Sequence, residues 1–193
     1  ISRQEVAAMA TIGLDQGILE EAESNIINNL LRLKSIKVRE IMTPRTVVTS
    51  APEDMKMSEF FKEASYLNFS RIPVYKEQLE NITGYVLKYD ALERVAKDEF
   101  DIRLKEIKRP VIMISEDTSV PVLFNQLLSM KEHISIIVDE FGDVAGIVTM
   151  EDIIETIIGV EIIDETDSDI DLQKLAKEKW KVRAKKMNLD HLI

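Results

Sequence analysis

The chain has 193 residues, 45% of them hydrophobic, which suits one folded domain with room for helical extensions and excludes global disorder. With 25 basic against 35 acidic side chains the formal charge is −10, which argues against a surface built for DNA or RNA. There is no Cys, hence no disulfide, thiolate zinc site or cysteine nucleophile, and the two His, His133 and His191, are far apart.

Ser2 and Glu5 have capping-box spacing and precede apolar Val6, Met9, Ala10 and Ile12, so a helix opens the chain and Gly13 should stop it. Residues 18–33 read as a second helix, with Leu19, Ile26, Ile27, Leu30 and Leu33 on one face. Glu20, Glu21 and Glu23 in its first turn match the helix dipole; three close carboxylates also suit a divalent cation. Two units of strand, helix, strand, turn, strand, helix follow. The first is expected at 47–49, 58–68, 72–75, 82–87 and 90–97, the second at 111–115, 120–130, 134–138, 144–149 and 151–158. Residues 160–171 then carry six acids and no base, the composition of a solvated linker. Leu172, Leu175, Ala176, Trp180, Ala184 and Met187 make a helical stripe among seven basic residues, a helix that either docks on the acidic body or lies on an anionic membrane leaflet. No run reaches the roughly 18 apolar residues of a membrane span, and Ile1 follows neither Met nor a signal pattern. The chain reads as a soluble piece of something longer.

The two units are copies. Gly84-Tyr85-Val86-Leu87-Lys88-Tyr89-Asp90 returns 62 residues on as Gly146-Ile147-Val148-Thr149-Met150-Glu151-Asp152. Upstream, Arg71-Ile72-Pro73-Val74-Tyr75 aligns with Ser135-Ile136-Ile137-Val138-Asp139 at an offset of 64, the difference falling in the turn. At Thr149 a strand hands over to a helix, so backbone amides, a small hydroxyl and the helix dipole suit an anion such as phosphate. Asp152, one turn on, can accept from ribose hydroxyls; the same pair also makes an ordinary helix cap. Copy one has Leu87 in place of Thr149, which predicts one competent site rather than two. Arg71 suits a phosphate fork or a surface ion pair. Pro110, Val111, Ile134 and Ile137 are candidates to sandwich an adenine, or plain core. No Gly-rich phosphate loop, zinc helix or nucleophile elbow is present, so the chain reads as a binding module and not an enzyme.

The pair of units resembles a tandem cystathionine β-synthase (CBS) domain, the Bateman module, over about residues 36–160. Three stretches, 38–45, 70–75 and 137–152, are similar to the CorC/CNNM family of magnesium and cobalt efflux proteins, also called haemolysin-like. The resemblance implies an α/β fold of two pseudo-symmetric CBS repeats, 36–100 and 101–160. Before them would stand an acidic helical linker, 1–35, following an absent transmembrane domain, and after them the acidic stretch and basic helix of 161–193. It further implies that Thr149, Asp152, Arg71 and Thr43 hold an adenine nucleotide, ATP with Mg²⁺ as counter-ion. A homodimer of CBS pairs at the cytoplasmic face of a bacterial inner membrane, regulating its own transmembrane domain, is expected. The alternatives are a structural dimerisation module with an empty site and a soluble CBS sensor of another protein.

Overall fold

Ser2 caps the first helix from both directions: its hydroxyl accepts the Glu5 N–H at 3.1 Å and its own N–H donates to the Glu5 carboxylate at 2.5 Å. The computed structural model describes residues 1–159 and, beyond them, positions 178 and 182. Helix α1 (Arg3–Asp15) runs through Gly13 rather than stopping there. A Cβ on Gly13 would lie 3.1 Å from Leu19 Cδ1, so glycine serves close packing, and the reversal comes at Gly17, with φ +70°. Helix α2 (Glu21–Arg32) follows and packs back on α1, where Ser24 Oγ donates to the Ala10 carbonyl at 3.4 Å.

A single 3₁₀ turn (Leu33–Ser35) leads into α3 (Val38–Ile41) and β1 (Thr43–Pro44). The first copy then supplies β2 (Ala51–Pro52), α4 (Met57–Phe60), α5 (Ala64–Leu67), β3 (Arg71–Tyr75), β4 (Ile82–Leu87) and α6 (Lys88–Ala96). The second supplies β5 (Ile112–Ser115), α7 (Val120–Met130), β6 (Ile134–Val138), β7 (Val144–Thr149) and α8 (Met150–Ile158). Two mixed sheets result, β2-β3-β4 and β1-β7-β6-β5, each with one parallel pair bridged by helix and one antiparallel hairpin. This is the α/β architecture of two related halves.

Three further differences from expectation have physical causes. Residues 47–49 are not a strand: Val47 N–H donates to the Pro44 carbonyl at 3.0 Å and Val48 N–H to Arg45 at 3.3 Å, turning the chain, and pairing starts only at Ala51. The helix expected at 58–68 is two short ones. Phe60 and Tyr66 stack with ring centroids 5.1 Å apart, whereas six residues of continuous helix would separate them by about 9 Å along the axis. Finally, the register shifts the alignment of the copies by one. Arg71 faces Leu87 as Ile134 faces Thr149, and both hairpins bulge at the matching place, Val74/Tyr75 and Ile137/Val138. Arg71 therefore corresponds to Ile134, not Ser135.

The halves are interleaved. Val38 N–H donates to Thr118 O at 2.9 Å, Thr43 pairs with Ile147, and Val38 and Ile41 join the core under α7 and α8 with Leu123, Leu127, Ile137, Val148 and Ile153. In return Leu104 is buried with Met57, Phe60, Ile72 and Val86, and Arg109 bridges to Tyr85 in β4. Divisions at 36 and 101 follow the repeats in sequence, but each repeat begins with a segment that packs on the other half. Between the sheets Ile82, Ile136 and Val144 form a third cluster with Tyr75, Val111, Val138 and Ile147. The acidic stretch and basic helix assigned to 161–193 lie, but for positions 178 and 182, outside the described residues.

Candidate functional site

The hydroxyl of Thr149, the last residue of β7 and N-cap of α8, accepts the Asp152 N–H at 3.4 Å. Both the N–H and the hydroxyl of Thr149 donate to Asp152 Oδ2, at 2.7 and 3.0 Å. Met150 N–H donates to the His133 carbonyl at 2.9 Å. The amides of Thr149, Met150 and Asp152 are thus engaged within the chain, not free as the sequence suggested. A ligand here would have to exchange with the box or use what it leaves, since both of these bonds to the carboxylate fall on Oδ2. Burial pushes the Asp152 carboxyl up to about 7; the Thr149 bonds oppose this, and Glu155 and Glu151 add to it.

The register gathers several expected residues at this end of the second sheet. Ile134, 1% exposed, stands opposite Thr149. Ile112 pairs with Ser135, so Val111, in the cluster between the sheets, comes beside Ile134, and exposed Pro110 precedes it. Arg71 arrives from the first half: its Nη1 lies 3.9 Å from Glu151 Oε1 in the first turn of α8. Thr43, 7% exposed, pairs with Ile147, two residues up β7 from Thr149. Ile137 is set apart. It is fully buried with Val148 and the α7 and α8 side chains, while Ile136 joins the cluster between the sheets, the alternation a strand imposes.

The first half is built differently. Leu87 caps α6 without a side-chain bond, and Arg71 stands where Ile134 stands in the second half. Asp90, the counterpart of Asp152, takes Arg109 Nε at 3.1 Å and Nη2 at 2.8 Å on one oxygen. Beside it the Tyr85 hydroxyl donates to Glu132 across the halves at 2.9 Å, and burial followed by that carboxylate pushes its pKa up. Arg109, Tyr85 and Glu132 were not singled out from sequence; the one available signal was the recurrence of Asp90 and Asp152 without the matching hydroxyl.

No group of three His, Asp or Glu among the described residues is placed to hold a metal ion. In α2 Glu23 is instead a cap, accepting the Glu20 N–H at 2.9 Å. No helix among the described residues is long and apolar enough to cross a membrane.

A family profile for the CBS domain matches residues 104–159. The chain is 29% identical over 185 residues to the magnesium and cobalt efflux protein CorC of Escherichia coli K12, covering 95% of this chain and 63% of that protein. It spans between 50% and 63% of the length of the curated relatives it matches first. Among solved structures, the CBS domain of a bacterial CNNM/CorC family Mg²⁺ transporter shares 32% identity, with a TM-score of 0.79 over 85% of this chain and 99% of that one. The same domain in complex with ATP gives 32% identity and a TM-score of 0.68 over 72% and 98%. Two interleaved βαβ halves, with a Thr-x-x-Asp helix start in only one of them, are therefore a CBS module, and the chain belongs to the CNNM/CorC family.

Proposed function

We propose that this chain is the regulatory adenine-nucleotide-binding module of a membrane protein that exports magnesium or cobalt, binding one ATP per chain at the start of α8. One observation carries the reading: Thr149, Asp152, Ile134 and Val111 share one end of the second sheet, and Arg71 reaches the same helix start from the first half. Asp152 would accept the ribose hydroxyls, and Thr149, the dipole of α8 and Arg71 would take the phosphates, with Thr43 behind them. Pro110, Val111 and Ile134 would wall the adenine. Mg²⁺ would arrive on the phosphates as counter-ion, offsetting charge in an acidic protein. The related structure in complex with ATP supports this choice of ligand.

The module would sit at the cytoplasmic face of the membrane as a homodimer through its CBS pairs, linked by α1 and α2 to a transmembrane domain. Its leverage on that domain is limited to the difference in affinity between the states it selects. A second reading has one observation in its favour. Thr149 and Asp152 satisfy one another as an ordinary helix cap, which is all that a structural dimerisation module would require of them.

Calorimetric titration with ATP, with and without Mg²⁺, separates the two. One site per chain is expected, weakened at least about tenfold in Thr149→Ala, consistent with loss of a charge-assisted hydrogen bond. At free ATP about a hundred times Kd, stability against unfolding should rise by about 2.7 kcal/mol. Flat titrations at millimolar ATP, with the dimer intact by sedimentation, would establish the structural reading.

A further inference from the structure

We infer that Arg109, locked by Asp90, is a positioning residue that sets the adenine wall at Pro110 and Val111. The inference rests on the nucleotide reading above. Arg109 is fixed twice on the first half. Its backbone exchanges bonds with Tyr85, N–H to O at 2.8 Å and O from N–H at 3.0 Å. Its guanidinium holds Asp90 through Nε at 3.1 Å and Nη2 at 2.8 Å. The approach is close enough that a Cβ on Gly84 would collide with the Arg109 carbonyl.

The next residues belong to the other half. Pro110 has a ring-fixed φ, Val111 enters the cluster between the sheets, and Ile112 begins β5 beside Ser135. Arg109 is thus the last anchored residue before the two that would face the base, and the proline passes its orientation on with little slack. Asp90 occupies in α6 the place Asp152 occupies in α8. With Leu87 in place of the hydroxyl and Arg109 across its carboxylate, the first copy of the motif works as a clamp for the wall of the second.

The test is ATP and GTP titration of the wild type, Asp90→Asn, Arg109→Gln, the double variant and Thr149→Ala. Each clamp variant should weaken ATP about five- to twentyfold and weaken GTP less, because the wall set for adenine is displaced and not the ribose and phosphate contacts that the two nucleotides share. The double variant should be no worse than the poorer single one, as befits two groups acting as a unit. Asp90→Glu should recover part of the ATP affinity lost in Asp90→Asn. Equal losses for ATP and GTP would mark a merely structural pair and overturn the clamp, and so would multiplying losses in the double variant. If the clamp variants bind ATP normally while Thr149→Ala does not, the clamp fails and the nucleotide site stands. No ATP binding by the wild type would overturn both. Should Asp90→Asn not fold, Arg109→Lys, which keeps the charge and loses the fork, carries the same comparison.

Discussion

A carboxyl that burial holds near neutrality favours its proton, and Asp152 sits in that position at the head of α8, with its pKa pushed up to about 7. Because the folded value lies above the usual 3.8, the folded chain binds more protons than the unfolded one between those limits. Its contribution to stability is therefore greatest below pH 4 and is lost as pH rises through 7. Melting curves from pH 4 to 8 should show this decline in the wild type and a flatter profile in Asp152→Asn. Ribose hydroxyls donate to the ionised form, so ATP affinity has the opposite slope. It should fall by up to about tenfold per pH unit below 7 in the wild type and stay level in the variant. Equal slopes in calorimetry would remove Asp152 from the site.

At the scale of elements, two glycines fix how each linker crosses a strand. Gly84 lies under the Arg109 carbonyl and Gly146 under the Thr43 carbonyl, and in both a Cβ would meet backbone that cannot swing away. Gly146→Ala should destabilise by about 1–3 kcal/mol in urea unfolding, the range of an overpacked core. Gly142→Ala, in open space at φ +85°, should lose only about 1–2 kcal/mol of left-handed strain. These crossings also explain what the sequence hid. Strands β4, β6 and β7 and helix α7 were legible because their periodicity, β-branched residues and turn glycines agree. Residues 47–49 look equally strand-like, yet a turn pinned to β7 diverts them, and nothing local signals a partner so distant. For a related reason the sequence leaves Ile137 open between ligand wall and core, and the structure packs it with the α7 and α8 side chains. Apolar residues fill both faces of a buried strand, so the sequence could not say which face each one joins. The Thr149–Asp152 pair was legible as chemistry, while the Arg109–Asp90 pair depends on a fold-level meeting of a linker and a helix.

For the whole molecule, α8 joins the candidate site to the N-terminal helices. Thr149 caps it, Asp152 stands in its first turn, and near its other end Asn29 of α2 donates from Nδ2 to the Ile157 carbonyl at 3.1 Å. Gly159, at φ +77°, lies against the same amide. Any tilt of α8 on ligand binding must therefore be felt by α2. Hydrogen exchange should show ATP slowing amides of α2 in the wild type, with that protection lost in Asn29→Ala although ATP affinity changes less than about tenfold, near the low end of typical coupling energies. If α2 is equally protected in both, the route does not run through Asn29.

The interleaving of the halves bears on how such a chain is made. Strand β1 leaves the ribosome about a hundred residues before its partner in β7, and contacts that far apart close late. The first sheet, likewise, lacks its Arg109 crossing until the second repeat has begun. Neither repeat is a unit that synthesis can finish and set aside. A gene cut between them would encode two chains, each missing strand and linker contacts that the other supplies.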